Sequence, residues 1–461
     1  MTKILEKAFL VFALLYFAGG LVLVLSPDDL PQSDEPPANL SMALMRQADK
    51  AGTQDQSQQK NKVKIAVEAG IYMTTIFLIL LHLGDFLKLA VRHPWLWILL
   101  ALAVLSTLWS DDPGFTARRG LVLVASTCFG VYLASRYTLR EILRLLWIVG
   151  FIAAIASFLV VWRKPDFGIS SGATTGDWQG IFGQKNTLGR FMAFQILALG
   201  VGVIAEKRWW RWIAAFGIVL CLPLLIMSKD ATAYLALPGL LVLVGLFQYT
   251  RRHSFVRTVA FLSTLGATVA GVVFVMIIDP GKILQMMGKD PSLTGRTDIW
   301  AMVWQKFLER PWLGYGYSAF WMGKDGKESA DIDQALHWIV PHSHNGFLDV
   351  LVQVGAVGLV LFFIGYVLFF RQALRCSRAS KTVLGLFPLL YLSFMILFNF
   401  SEGSIIREEN MFWVLYAAMW VLTTRWLGLA EAAATRPAQT SPAPRNLRPI
   451  SVPSWRFGST P

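Results

Sequence analysis

Two histidines stand immediately before a long apolar run, in the stretch Pro341-His342-Ser343-His344-Asn345-Gly346. An imidazole can accept a proton near neutral pH, so His342 or His344 could act as a general base. Asn345 adds a carboxamide that can hydrogen-bond a polar substrate. Histidines two residues apart could also bind a metal ion, but the surrounding sequence offers no third ligand. The commonest explanation of such a pair is interfacial histidines that only hydrogen-bond to their own loop.

A second group with chemical potential is Arg296, which stands between Gly295 and Thr297. The apolar spacing of the next residues predicts a short amphipathic helix with Thr297 or Asp298 as its N-cap. Backbone N–H groups at a helix N-terminus and a guanidinium both favour an anion, and the guanidinium can hold phosphate through two hydrogen bonds. Pairing with Asp298 or with a lipid headgroup explains Arg296 equally well. Taken together, Arg296 and the two histidines favour the hypothesis of chemistry on a phosphate-bearing substrate that is held in the membrane.

Three further polar clusters flank apolar segments. Lys185 and Arg190 begin one apolar segment, and Lys229-Asp230 lies in a tight turn between two others. Surface pairing or snorkelling explains the basic residues in each cluster, and Lys229 is expected to pair with Asp230. The third cluster, which includes Arg407, follows a later apolar segment.

That third cluster contains Glu402, Arg407 and Glu408. Asp349 lies one turn into the apolar run after the histidines, where an unpaired carboxylate facing lipid would be costly. We expect Asp349 to point back and orient an imidazole. The clusters are predicted to lie on one face of the membrane, and this convergence favours a shared site over separate surface pairs.

The elements that must position these residues are apolar. The chain has 461 residues, of which 55% are hydrophobic and 15% charged, and this excludes an ordinary soluble enzyme. Cysteines are too few and too scattered for a metal or disulfide framework. The composition predicts an all-α polytopic membrane protein with about twelve transmembrane helices. The predicted spans are 8–25, 65–84, 95–109, 120–135, 143–162, 188–205, 212–227, 232–249, 258–278, 346–370, 382–400 and 411–424.

The formal net charge of +13 is distributed unevenly along the chain. Lys and Arg concentrate in alternate connections, such as 136–144, 207–211, 251–257 and 371–381. This is the positive-inside pattern, and it places both termini in the cytoplasm and the polar clusters in the periplasm. The basic charge therefore indicates topology and not a nucleic-acid partner.

The predicted organisation follows from the spans. The long connection between spans nine and ten far exceeds a simple loop and holds Arg296 and both histidines. The predicted segments are a signal-anchor span (1–25), a mobile periplasmic loop (26–62), spans two to nine (63–278), a periplasmic catalytic loop (279–345), spans ten to twelve (346–424) and a disordered cytoplasmic tail (425–461).

One motif gives a family resemblance. His344-Asn345 is followed at fixed spacing by Gly355 and Gly358. With the region from Trp109 to Trp413, this motif resembles the O-antigen ligase and polymerase superfamily of bacterial membrane glycosyltransferases. Three other stretches, 182–189, 290–300 and 310–316, look more like the succinoglycan-type exopolysaccharide polymerase branch.

The resemblance implies a GT-C-like fold and an inverting, metal-independent and cofactor-free transfer from an undecaprenyl-diphosphate-linked glycan. His344 matches the general base that deprotonates an acceptor hydroxyl, and Arg296 matches the arginine that binds the leaving diphosphate. Lys229 stands where the superfamily usually has another arginine, and it keeps the charge without the two-pronged geometry. The expected substrate-binding residues are Lys229, Lys185, Arg190, Asn345, His342 and Arg407.

The function expected from the resemblance is polymerisation of lipid-linked oligosaccharide repeat units into exopolysaccharide, at the periplasmic face of the bacterial inner membrane. The close alternative is an O-antigen ligase that transfers the glycan to lipid A core or another acceptor. A flippase or transporter is less favoured, because its charges would lie near the bilayer midplane. The expected partners are the lipid-linked donor, an acceptor glycan, membrane lipid, and flippase and chain-length regulator proteins.

Overall fold

The computed structural model describes residues 3–21, 54–171, 176–252, 296–322, 327–336, 340–380 and 382–435. Within these ranges the chain is helical and forms no strand beyond an isolated bridge between Ile169 and Trp178. The main helices are α1 (Lys3–Phe17), α2 (Gln54–Leu81), α3 (Leu83–Ala90), α4 (Pro94–Leu105), α5 (Pro113–Arg136), α6 (Leu139–Arg163), α7 (Lys185–Ala205), α8 (Trp209–Ser228), α9 (Ala231–Arg252), α10 (Arg296–Glu309), α11 (Lys327–Leu336), α12 (Gly346–Ala379), α13 (Phe387–Asn399) and α14 (Met411–Thr435). The all-α prediction is confirmed.

Many of these helices could cross a membrane. In the described part of the chain, α2, α5, α6, α7, α8, α12 and α14 are long and apolar enough, which makes 7 candidate spans. The pair α3 and α4, bent by 91°, makes up to 8. Two shorter apolar helices are Ala231–Gly245, which lies within α9, and Val383–Asn399, which includes α13. The chain is therefore a polytopic membrane protein. The predicted spans overlap helices, although α1 ends at Phe17, inside the predicted span 8–25, and residues 22–25 lie outside the described part of the chain. The predicted span 258–278 lies wholly outside the described residues, and the total of about twelve stays a prediction.

Two helices extend beyond the predicted segment boundaries. Helix α2 begins at Gln54, inside the predicted loop 26–62, and α14 continues to Thr435, inside the predicted tail 425–461. The apolar pattern marks only the part of a helix that can lie in lipid. Gln, Lys, Ala and Glu at these ends are strong helix formers, and they continue the helix into water. Residues 22–53 and 436–461 lie outside the described residues.

The helices pack through small residues at their crossings. Helix α7 makes its most extensive contacts with α8, and α5 packs against α14. At the second crossing, a Cβ added to Gly130 would lie 2.4 Å from the carbonyl oxygen of Val414, so only glycine permits this approach. The first helix is part of the same body, because Tyr132 donates a 2.7 Å hydrogen bond to the buried Glu6 of α1.

A break in α12 positions the segment that precedes it. Gly355 has a φ of 69°, and a Cβ there would lie 2.1 Å from the carbonyl oxygen of Trp312. Near this break, the carbonyls of Val352 and Gln353 accept hydrogen bonds from the N–H groups of Tyr315 and Gly316 at 2.8 and 3.0 Å. The glycine in the family motif therefore serves a close backbone approach that a side chain would block.

Helix α10 is fixed to α12 by an apolar cluster of its own. Ile299 and Val303 of α10 are buried with Tyr315 and with Val352 of α12. The predicted short helix is confirmed, but Thr297 and Asp298 lie inside its first turn and not before it. Arg296, at the start of α10, is thereby held beside the N-terminus of α12.

Candidate active site

The loop 342–345 is ordered by its own polar side chains. Asn345 is the N-cap of α12, and its Oδ1 accepts hydrogen bonds from the N–H groups of Phe347 and Leu348 at 3.0 and 3.3 Å. Ser343 Oγ donates to the carbonyl of Asn345 at 2.7 Å, and Trp300 Nε1 donates to the carbonyl of Ser343 at 2.9 Å. The predicted binding residue Asn345 thus has a structural role through its side-chain oxygen.

Asp349 also supports this loop and does not orient an imidazole. Its Oδ1 accepts hydrogen bonds from the N–H of Ser343 at 3.0 Å and from Trp321 Nε1 at 2.9 Å. The expected contact with a histidine ring is therefore wrong. The carboxylate lies one turn into α12, within hydrogen-bond distance of the backbone of the preceding loop and of Trp321.

His344 is buried and strained. Its side chain is 2% exposed, and its backbone lies in the left-handed region with a φ of 52°. Such a conformation is uncommon for a residue other than glycine and concentrates at functional sites. The Nδ1 atom lies 3.5 Å from Oε1 of Glu402, and Nε2 has no hydrogen-bond partner among the described residues. A ring that donates from Nδ1 to a carboxylate leaves the Nε2 lone pair free to accept a proton.

His342 has the opposite arrangement. Its Nδ1 accepts a 3.1 Å hydrogen bond from the backbone N–H of His344, and the two ring centroids are 4.2 Å apart. Burial, together with the charges of His344 and Arg407, lowers the pKa of His342 well below its usual range. A neutral ring whose Nδ1 accepts must carry its proton on Nε2, so neither nitrogen has a free lone pair. His342 is therefore poorly suited to be the base.

Glu402 joins the elements of the site. It is 4% exposed, and its Oε1 lies 3.2 Å from Asn186 Nδ2 and 3.7 Å from Arg296 Nη2, as well as 3.5 Å from His344. Burial alone would raise the pKa of Glu402, but His344, His342 and Arg190 hold it well below its usual range. The carboxylate therefore carries its negative charge between an imidazole and two guanidiniums.

The position of Glu402 follows from the end of α13. Asn399 Oδ1 accepts a 2.8 Å hydrogen bond from the N–H of Ser404, which fixes the loop that contains Glu402. A Cβ added to Gly346 would lie 2.1 Å from the same Oδ1 atom. The absence of a side chain at Gly346 lets this loop approach the N-terminus of α12, and Glu402 reaches the histidines.

Arg296 is bound to the same loop. Its Nη1 donates a 3.1 Å hydrogen bond to the carbonyl of Ser401, and its Nη2 lies 3.7 Å from Glu402. The side chain is 21% exposed, so part of the guanidinium remains accessible. The alternative that Arg296 pairs with Asp298 is not supported, because Ser401 and Glu402 provide its partners.

Arg190 is a buried cation that faces a cavity. It is 6% exposed and its guanidinium lies over the ring of Phe412, 5.0 Å from the centroid. Neither Nε nor Nη1 of Arg190 has a hydrogen-bond partner in the ranges that the structure describes. Buried N–H groups are normally paired, so an anionic or hydroxyl-bearing ligand would satisfy them.

The two lysines that are expected to bind the substrate instead form an ion-pair bridge through Asp177. Lys185 and Lys229 lie 3.0 and 2.7 Å from the two carboxylate oxygens of Asp177. The hydrogen bond to Asp177 raises the pKa of Lys229, whose side chain is 55% exposed. The expected pairing of Lys229 with Asp230 is therefore wrong. Asp230 instead accepts from the N–H of Thr232 at 3.0 Å, and burial raises the pKa of Asp230 to about 6.

A cavity of about 410 Å³ lies against these groups. Arg190, His342 and Glu402 line it, and so does the exposed Arg407, whose Nη1 also donates to the carbonyl of Gly403 at 3.2 Å. The predicted residues outside its wall are His344, Arg296, Lys185, Lys229 and Asn345. The structure therefore brings His344, Arg296, Arg190 and His342 together around Glu402, while the lysine bridge stands apart.

Glu402 also bears on whether the two histidines could bind a metal ion. Ligand atoms of His342, His344 and Glu402 lie within 4.8 Å of one another, so the third ligand missing from the local sequence exists in space. The surroundings do not favour a cation. His342 Nδ1 already accepts a backbone N–H, and the guanidinium of Arg296 already lies beside Glu402. Metal independence stays a prediction.

Sequence reasoning missed part of this site. Glu402 was placed in a polar cluster but not among the site residues, and Asn186 and Asp177 were not singled out. The sequence does contain one signal for Glu402. It is a carboxylate in an otherwise apolar region, and no residue of opposite charge stands at helical spacing from it. No local signal pairs it with His344, which lies 58 residues earlier.

The helices define a polytopic membrane protein with a buried polar cluster beside the N-terminus of α12, and comparison with known proteins adds a family likeness. Residues 216–363, which include Arg296 and both histidines, match the O-antigen ligase family. This region of the chain is therefore similar to the O-antigen ligase family, and the resemblance found in the sequence is confirmed.

Similar proteins come from two groups of bacteria. The chain is 26% identical over 280 residues to the exopolysaccharide production protein ExoQ of Rhizobium meliloti, a match that covers 58% of this chain and 62% of that protein. It is 26% identical over 177 residues to a provisionally named polysaccharide ligase of Rickettsia prowazekii, covering 36% of this chain and 41% of the relative. The chain spans less than two thirds of the length of either relative.

Proposed function

We propose that this protein is an inverting glycosyltransferase that polymerises undecaprenyl-diphosphate-linked oligosaccharide repeat units at the periplasmic face of the inner membrane. One observation carries the proposal. His344 is buried with its Nδ1 beside the ionised Glu402 and with its Nε2 unpartnered, while Arg296 is bound to the same carboxylate. A free base and a cation beside it are what glycosyl transfer from a diphosphate requires.

The proposed step is a single displacement. The acceptor hydroxyl oxygen forms a bond to the anomeric carbon of the donor glycan as the bond from that carbon to the diphosphate oxygen breaks. The hydroxyl proton passes to Nε2 of His344, and the electron pair of the broken bond leaves on the lipid diphosphate. Attack from the face opposite the leaving group inverts the anomeric centre.

The leaving diphosphate needs positive charge. Arg296 supplies one guanidinium, and we assign the second to Arg190, which is buried, incompletely paired and exposed to the cavity. Lys229 occupies the place of the second arginine in the resemblance, but its partner is Asp177 and it does not line the cavity. Arg407 lines the cavity and adds a further, more solvated charge.

The ligase alternative uses the same chemistry and differs only in the acceptor. The likeness to an exopolysaccharide production protein supports the exopolysaccharide product of the proposal, and the likeness to the rickettsial polysaccharide ligase supports the alternative. A flippase is less favoured, because the polar groups described above converge on one cavity beside the N-terminus of α12.

Deletion of the gene and sizing of the lipid-linked and secreted glycan distinguish these functions. A polymerase predicts that single repeat units accumulate in the deletion strain. A ligase predicts long chains that remain unattached to their acceptor. Repeat units that stay on the cytoplasmic side would instead support a flippase and contradict the proposal.

A further inference from the structure

A second group of polar residues lines the cavity beside the proposed catalytic groups. Arg119 Nη1 lies 3.3 Å from Oε1 of Glu408, and Ser318 Oγ lies 3.4 Å from the same oxygen. The backbone N–H of Ser318 donates to Oε1 of Gln353 at 2.9 Å. These side chains come from α5, from the segment before α11, from α12 and from the loop before α14, and all four line the cavity. We call them the Arg119 group.

Some buried N–H groups in the cavity wall lack hydrogen-bond partners within the described part of the chain. Arg119 Nε is buried and has no hydrogen-bond partner in the described structure, and the buried Arg190 leaves Nε and Nη1 unpaired in the same cavity. Unpaired buried donors are unfavourable, so a ligand that brings acceptor oxygens would be stabilised there. The carboxylate of Glu408 and the amide of Gln353 add acceptor and donor atoms of the kind that hydroxyl groups use.

Aromatic rings accompany these polar groups. The ring of Phe115 lies under the Arg119 guanidinium, 5.1 Å from centroid to Cζ, and both Phe115 and Trp321 line the cavity. A sugar ring presents C–H groups on one face and hydroxyls at its edge. Flat aromatic faces beside planar polar side chains therefore match a sugar. An apolar polyprenyl chain would be a poor fit, because the wall presents too many polar atoms. The volume of about 410 Å³ lies within the range of small-molecule sites.

We propose that the Arg119 group binds the sugar of the acceptor glycan that carries the attacking hydroxyl; this rests on the proposed transferase function. In an inverting displacement the acceptor approaches from the side opposite the leaving diphosphate. Glu408 would repel a diphosphate but accepts hydrogen bonds from hydroxyls, and Arg119 is already balanced by Glu408. The Arg119 group thus selects the acceptor, while Arg296 and Arg190 bind the donor.

The test separates the two substrates kinetically. Purified full-length protein receives radiolabelled lipid-linked repeat units as donor and the repeat-unit oligosaccharide released by mild acid as acceptor. Arg119→Gln is expected to raise the acceptor KM about tenfold or more, since it removes charged hydrogen bonds, and to leave the donor KM within about twofold. Arg190→Gln is expected to raise the donor KM instead.

A neighbouring residue provides the matched control. Arg118 lies over the same Phe115 ring at 5.4 Å but is exposed and does not line the cavity, so Arg118→Gln should change neither KM. If Arg119→Gln does not fold, Gln353→Glu keeps the acceptor for the N–H of Ser318 and replaces the amide donor by a negatively charged carboxylate oxygen. This variant is also expected to raise the acceptor KM.

Each outcome decides a different claim. An unchanged acceptor KM in folded Arg119→Gln or Gln353→Glu, with the wild type active, overturns the acceptor site and leaves the transferase function standing. A rise in the donor KM alone would reassign the Arg119 group to the donor. If the wild type transfers no label to the oligosaccharide, the proposed function fails and the acceptor site fails with it.

Discussion

Nδ1 of His344 lies 3.5 Å from Oε1 of Glu402, although 58 residues separate them along the chain. Both side chains are buried, and Asn186 and Arg296 approach the same carboxylate. The arrangement fixes which imidazole nitrogen can donate and which can accept. It therefore distinguishes two histidines that the sequence presents as near equivalents.

The two histidines are expected to respond differently to mutation. His344→Ala should reduce turnover by about a hundred- to ten-thousand-fold, because it removes the general base. His342→Asn should retain a substantial fraction, because Asn can accept the backbone N–H of His344 in place of Nδ1. Initial transfer rates at equal membrane abundance measure the difference. Greater loss from His342→Asn would assign the base to His342, which lines the cavity.

Glu402→Gln tests whether the carboxylate positions and polarises His344. The pKa of Glu402 lies well below its usual range, so it stays ionised at working pH and does not itself titrate there. Gln keeps the shape of the side chain but removes the negative charge beside Nδ1 of His344, so we expect the rate of transfer to fall by about tenfold or more. Initial transfer rates at equal membrane abundance measure the effect, and a near-normal rate for Glu402→Gln would show that the charge of this carboxylate is not needed.

Arg296→Lys separates charge from geometry. A guanidinium donates to the carbonyl of Ser401 and still presents other N–H groups, whereas an ammonium lacks the two-pronged arrangement. We expect a loss of about a hundredfold in rate despite the unchanged charge. Lys229→Ala is the contrast, because its partner is Asp177, and it should retain most of the activity. Near-normal rates for Arg296→Lys would remove the bidentate argument.

Transfer is expected to continue in excess chelator. His342, His344 and Glu402 could be within reach of one ion, but the nearby guanidiniums and the hydrogen bond to His342 disfavour it. Purified protein is assayed with lipid-linked donor before and after chelation. Activity that disappears with the chelator and returns with a divalent metal would contradict the arginine-based scheme.

Topology follows from the charge distribution. Reporter fusions after Gly403 should report the periplasm, and those after Arg375 should report the cytoplasm, because Lys and Arg concentrate on the second side. Gly403 neighbours Glu402 in the site, so this pair measures the compartment of the chemistry directly. A cytoplasmic signal at Gly403 would place the site in the wrong compartment for the proposed function.

Much of the architecture was determined by local sequence. Apolar runs of bilayer length become helices in the described part of the chain, since only helical pairing satisfies the backbone in lipid. Asn345 is a local N-cap signal before α12, and Gly355 is a local signal of a backbone approach, although its partner Trp312 is not local. Local chemistry also identified His344 and Arg296 as candidate functional residues.

The tertiary structure alone decided which groups meet. Lys229 pairs with Asp177 and not with its neighbour Asp230, and Asp349 binds the loop backbone and not an imidazole. Sequence proximity fails here because the direction of a side chain is set by its helix and by what packs against it. Arg296 reaches the carbonyl of Ser401 across 105 residues, since the cluster between α10 and α12 and the turn after α13 converge there. Contacts between residues so far apart in the sequence depend on how the helices pack, and no periodic pattern in the chain predicts them.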